Sequence, residues 1–212
     1  RGVIRAGDTA NRLGFNGIPA EAEYETVRRD VELCSKTGCR VHIQHVSCLQ
    51  SLKIIDDARK KEVPVTAEVT PHHLSLCDSD IPGDDANFKM NPPLGTSEDR
   101  NQLRHAVKTG IISAFATDHA PHASALKNLG FRDAPFGVIG LETAVGITYD
   151  LVIDGTISRL TWLKLWTMGP ANILGIPVPS LSNGARADIA LLDLETPWVV
   201  KPDQFLSRSR NT

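Results

Sequence analysis

Ile112-Ser113-Ala114-Phe115-Ala116-Thr117-Asp118-His119-Ala120-Pro121-His122 is a short apolar run that ends in a carboxylate and two imidazoles. A run of this length, with Gly110 before it and Pro121 after it, reads as a buried strand of a parallel α/β sheet. Such sheets present their chemistry at the carboxyl ends of their strands. Gathering Asp118, His119 and His122 there costs desolvation free energy unless a metal, a substrate or hydrogen-bond partners compensate them. The stretch sets two expectations together: an α/β fold, and a polar site where this strand stops.

Working outward, the same pattern recurs upstream. Arg40 to Val46 alternates as a strand does, with Val41, Ile43 and His45 expected on one face. Ser47 and Gln50 are spaced as a capping box for a helix carrying Leu49, Leu52, Ile55 and Ala58. Pro64 to Thr70 is the next strand, closed by Pro71-His72-His73 and a polar loop whose Asn91-Pro92-Pro93 excludes regular structure. Thr96 or Ser97 caps a helix that Gly110 ends. Ahead of all this, Pro19, an acidic first turn and Val27, Val31 and Cys34 at helical spacing predict a helix over 20–37, stopped by Gly38. Residues 1–19 read as a loop.

Downstream lies a long loop holding Pro135-Phe136-Gly137, then helical patterns over about 141–153 and 159–168 and a short one after Pro170. Past Gly184 the character changes, and Ile189 to Asp193 reads as a strand outside the main sheet. Strands alternating with helices point to parallel α/β. Three successive strand ends then carry His45, His72-His73 and Asp118. Neutral imidazole and carboxylate are normal ligands for a divalent metal such as zinc, and an ion with an open position makes water a nucleophile near neutral pH. The implied chemistry is metal-assisted hydrolysis.

With 212 residues, 41% hydrophobic and 23% charged, the chain can bury a substantial core. A net charge of -2 with scattered basic residues argues against nucleic acid or an anionic membrane surface as partner. No apolar run reaches the ~20 residues of a membrane-spanning helix, and Arg1 to Arg5 lacks the apolar core of a secretion signal, so a cytoplasmic location is expected. Cys34, Cys39, Cys48 and Cys77 form no CxxC pair and read as reduced bystanders. Met90, Trp162, Trp166 and Trp198 read as packing residues, His72 as a turn-orienting one, and Asp56 to Lys61 as a solvated helix face.

The motifs His45-Val46-Ser47, Val65 to Leu74, Lys89-Met90-Asn91-Pro92-Pro93-Leu94, Ala116 to His122 and Ala134 to Thr143 together resemble the dihydroorotases of bacterial type, members of the amidohydrolase superfamily of metal-dependent (β/α)₈ barrels. The resemblance runs in the family's order over about 15–212. It implies that His45 is the metal-ligand histidine ending the sixth barrel strand and that Asp118 is the eighth-strand aspartate, both metal ligand and general acid/base. It further implies that Asn91, His122, Phe136 and Gly137 contact dihydroorotate or carbamoyl-aspartate, the last two through the backbone. The cofactor implied is zinc, one or two ions.

Several family features have no counterpart here: the His-x-His pair of the first strand, the bridging acid or carboxylated lysine of the fourth, the histidine of the fifth and the arginine that grips the substrate carboxylate. Gly95 and Cys48 stand where the family usually has a basic residue and a threonine. The expected fold is therefore α/β, a partial (β/α)₈ TIM barrel holding strands six to eight with their helices over 1–180, plus part of a small flanking β-domain over 181–212. The expected function is that of a fragment of a dihydroorotase, inactive alone. Implied partners are the small-molecule substrate, an amino-terminal half or a second copy that supplies the missing ligands, and aspartate carbamoyltransferase. The rivals are a hydantoinase- or allantoinase-like cyclic amidase and a non-catalytic dihydroorotase-like subunit that scaffolds that transferase.

Overall fold

The computed structural model describes residues 2–212. The main sheet is parallel and made of β3 (Val41–Ile43), β4 (Val65–Val69) and β5 (Ala114–Phe115), in that spatial order. Val41 pairs with Val65 and Ile43 with Ala67, while Glu68 pairs with Ala114 and Val69 with Phe115. Each connection passes through helices: α3 (Leu49–Lys60) joins β3 to β4, and α4 (Pro71–Ser75) and α5 (Ser97–Thr109) lie between β4 and β5. The α/β expectation holds, and β3 and β5 form the two edges of the sheet among the described residues.

Period-two patterning decides which face is buried. Val65, Ala67 and Val69 are buried, whereas Thr66 and Glu68, pointing the other way, stay half-exposed. The buried face packs against α2 (Glu21–Thr37), α3 and α5, with Val27, Val31, Leu52, Ile55, Leu103 and Val107 in one core. The same core continues through Phe115 to Tyr149, Trp162 and Leu165 of α8 (Ala144–Ile153) and α9 (Arg159–Trp166). Helix limits follow local signals: Gly38 (φ 72) and Gly110 (φ 79) take left-handed C-caps, and Thr96 with Asp99 forms a reciprocal capping box.

Residues 1–19 depart from a plain loop. β1 (Ile4–Arg5) and β2 (Gly17–Ile18) pair in parallel around α1 (Asp8–Leu13). Val3, Ile4 and Ala10 bury against Ile81, Met90, Leu94 and Phe131 in a second core, so this segment braces the loop that carries Asn91. The expected capping box of Ser47 and Gln50 does not form, because Cys48 is the N-cap and makes no side-chain cap bond. Carboxylates from two other helices do that work: Glu23 accepts from the Ser47 amide at 3.1 Å, and Asp99 from the Leu49 amide at 2.9 Å.

Four further corrections concern residues 124–198. The long loop after β5 contains two short helices, α6 (Ser124–Lys127) and α7 (Gly130–Asp133). The short helix read after Pro170 begins earlier, as α10 (Met168–Leu174). Ile189 to Asp193 is not a strand, since no strand of the described residues lies beside it to complete a hydrogen-bond ladder. Trp198 is exposed rather than packed.

Candidate active site

Just past β3 and β5 the backbone turns left-handed: φ is 36° at His45 and 47° at Asp118. Glu62 is the only other non-glycine among the described residues with positive φ. Such conformations cost about 1–3 kcal/mol each and persist only where the surroundings impose them. β3 stops at Ile43, so His45 lies in the turn just beyond the strand. It lines a cleft of about 460 Å³ together with Arg5, Glu23, His42, Asn91 and Pro92.

The His45 Nδ1 atom is buried and has no hydrogen-bond partner among the described residues. Asp118 is half-buried, and burial pushes its carboxyl pKa above the ordinary value. The nearby His45 ring pulls it back down, and Glu68 raises it further. His45 and Asp118 are thus brought within electrostatic reach of each other from the two strands that flank β4. Beneath them, His42 contacts Thr66 at 2.9 Å through Nδ1 and Glu68 at 3.0 Å through Nε2.

His73 is a brace. Its Nε2 donates to the Pro92 carbonyl at 3.0 Å and its Nδ1 accepts from the Thr70 hydroxyl at 2.7 Å, which fixes the tautomer. Burial lowers its pKa to about 4, keeping the ring neutral. The brace holds Asn91-Pro92-Pro93 so that Asn91 is exposed to the same cleft as His45. His72, also buried and also held neutral by burial, leaves Nε2 without a partner.

The remaining expected residues form a second group. His122 Nε2 donates to the Phe136 carbonyl at 2.8 Å. The Gly137 amide donates to the Lys89 carbonyl at 2.8 Å, and the Gly137 carbonyl accepts from Lys127 at 2.9 Å and Asn211 at 3.1 Å. Both polar groups of Gly137 are therefore engaged inside the protein. Lys89 adds bonds to the Arg132 and Ala134 carbonyls and lies 4.6 Å from the centre of the Phe136 ring.

Sequence reading missed Glu23, Lys89, Lys127, Ser209 and Asn211. Glu23 looked like one more acid in a first helical turn, yet it accepts from Ser47 and Ser51 and approaches Arg5 to 3.9 Å. Lys127 falls in the stretch read as a long loop and is buried. The spacing of these residues gives no local signal, because each acts on a segment far away in sequence.

As a place for a divalent cation the donor set is one-sided. The buried, unpartnered His45 nitrogen and the desolvated Asp118 carboxyl suit a cation. Among the described residues, however, no group of three or more His, Cys, Asp or Glu side chains could hold one. No helix of the described residues is long and apolar enough to cross a membrane.

A family model described as the amidohydrolase family matches residues 13–212. A dihydroorotase of Geobacillus sp. (strain WCH70) is 47% identical over 213 residues, covering 100% of this chain and 50% of that protein. A dihydroorotase of Bacillus caldolyticus is 45% identical over 212 residues, covering 100% of this chain and again 50% of the relative. The chain thus spans about half the length of the curated relatives it matches. Among solved structures, an L-hydantoinase (dihydropyrimidinase) from Arthrobacter aurescens superposes with a TM-score of 0.82 at 28% identity, covering 94% of this chain and 46% of that one. A dihydropyrimidinase from Brevibacillus agri NCHU1002 gives 0.73 at 28% identity, covering 79% and 38%.

Proposed function

The chain belongs to the amidohydrolase family, and from that premise we propose that it forms the His45 and Asp118 side of the active site of a zinc-dependent dihydroorotase. The reaction is the reversible interconversion of N-carbamoyl-L-aspartate with L-dihydroorotate and water, in pyrimidine biosynthesis. The observation that carries this reading is the pair of left-handed strand ends, which sets an unpartnered imidazole and a desolvated carboxyl within electrostatic reach of each other. Chain-long likeness to dihydroorotases supports the substrate.

His45 and Asp118 would hold the cation, with further ligands from an amino-terminal half of the barrel, so this chain alone does not turn over. When bound, a zinc ion supplies Lewis acidity. In the hydrolytic direction water adds to the ring amide carbonyl, the carbon–nitrogen bond breaks, and Asp118 carries one water proton to the departing nitrogen. Its raised pKa suits both halves of that transfer. Asn91, His122 and the Phe136 amide orient the ring and its carboxylate. Residues 1–180 belong to the barrel on this reading, and 181–212 to the flanking β-domain.

In the polypeptide that joins both halves, Asp118→Ala abolishes turnover of dihydroorotate; a near-normal rate discards the assignment. The solved hydantoinase folds favour a second reading as a hydantoinase-like cyclic amidase. Parallel assays on dihydroorotate, a hydantoin and allantoin separate the two.

A further inference from the structure

Resting on that reading, we infer that Phe205 to Asn211 is a strap that sets the spacing of the substrate loops, with Asn211 as a positioning residue. The side chain of Asn211 makes three hydrogen bonds to them. Nδ2 donates to the carbonyls of Ala120 at 2.9 Å and Gly137 at 3.1 Å. Oδ1 accepts from the His122 amide at 3.3 Å. Its main-chain carbonyl accepts from the Ile139 amide at 2.8 Å. One buried residue therefore ties the loop after β5 to the Phe136-Gly137 loop from both sides.

Neighbours lock the strap in place. Ser209 Oγ accepts from the His122 amide at 3.1 Å and donates to the His122 carbonyl at 2.6 Å. Glu142 accepts from the Leu206 and Ser207 amides, each at 3.0 Å, and Phe205 is buried. None of these groups reaches the cleft beside His45, so the strap acts through His122 and Phe136 on how substrate is held and not on the proton transfer. The orientation of the amide is also determined: an oxygen in place of Nδ2 would face two carbonyl oxygens.

The test uses the polypeptide carrying this chain and the amino-terminal half, with Asn211→Ala, the isosteric Asn211→Asp and the milder Ser209→Ala. Hydrogen exchange at the His122 and Ile139 amides accelerates at least tenfold in both Asn211 variants. KM for dihydroorotate rises about tenfold in Asn211→Ala and more in Asn211→Asp, with kcat within threefold of the parent. Should the Asn211 variants fail to fold, Ser209→Ala is read the same way, with changes of about threefold. Unchanged exchange overturns the strap; faster exchange with an unmoved KM overturns the positioning role. A parent that does not turn over dihydroorotate sinks the functional reading instead, and the exchange arm still upholds or overturns the strap.

Discussion

Gly137→Ala isolates the geometry on which the Phe136 loop depends. Gly137 sits at φ 124°, where only glycine is at ease, and an added Cβ would lie 2.5 Å from Ala120 Cβ and 3.2 Å from His122 Nε2. Carbon–carbon contact is comfortable at about 3.5–4.0 Å, so one wall must retreat by roughly 1 Å. Three hydrogen bonds at this peptide resist the movement. Backbone strain of about 1–3 kcal/mol, with one or two hydrogen bonds lost at about 1 kcal/mol each, gives a destabilisation of about 2–5 kcal/mol. For a chain of this size that is a fall of roughly 5–15 °C in Tm. Adding Ala120→Gly removes the nearest atom and leaves the dihedral strain. The double variant should therefore recover the steric part and no more, with a favourable coupling of about 1–2 kcal/mol. A Tm within 1 °C of the parent for Gly137→Ala, or no coupling with Ala120→Gly, would refute the reasoning.

Two further outcomes follow from buried polar groups. Thr148 is fully buried, and its hydroxyl accepts from the indoles of Trp162 and Trp166, both at 3.0 Å. Thr148→Val keeps the shape but orphans both donors, so urea unfolding followed by tryptophan fluorescence should show a loss of about 2–4 kcal/mol; a loss below about 0.5 kcal/mol contradicts it. Burial, with help from Lys89, lowers the Lys127 pKa from 10.5 to about 8. Between those values the unfolded chain binds a proton that the folded one does not, so stability rises with pH through that window, by at most about 1.4 kcal/mol per pH unit. The difference between parent and Lys127→Met isolates this slope from other groups that titrate there, and identical pH profiles count against it.

Legibility in the sequence tracked distance along the chain. Gly38, Gly110 and a cap at Thr96 or Ser97 were readable helix limits because each acts within one turn, and the structure places the cap at Thr96. β4 was readable because alternation alone decides which side is buried. The Ser47-Gln50 box failed where a tertiary competitor won: Glu23, 24 residues upstream of Ser47, already occupies that amide and hydroxyl. Residues 2–18 gave no periodic signal, since two-residue strands and a six-residue helix are too short to show one, and their stability comes from packing on Ile81, Met90 and Phe131. Of the expected site, His45 and Asn91 share a cleft, and Asp118 senses His45. The residues that hold His122, Phe136 and Gly137 in place act over separations from 10 to 89 residues, which no motif spacing encodes.

The strained backbone at His45 and Asp118 is an indicator of function independent of residue type, and it yields a reversal of the usual mutational order. Strain survives at His45 because the chain is pinned on both sides: Val41 to Ile43 pair with β4, and the Val46 amide donates to the Glu68 carbonyl at 3.0 Å. In an ordinary extended or helical position alanine is more stable than glycine by about 0.5–1 kcal/mol. At φ 36° the side chain costs more than the glycine's extra chain entropy, so His45→Gly should be more stable than His45→Ala by about 1 kcal/mol, and the same order should hold at Asp118. At Thr66, in the middle of β4, alanine should keep its normal advantage. Comparing the six variants by urea midpoint tests this without any turnover. If alanine proves the more stable substitution at both strand ends, the left-handed geometry is not imposed by its surroundings. The argument that these two residues are held against local preference for the sake of a site then fails.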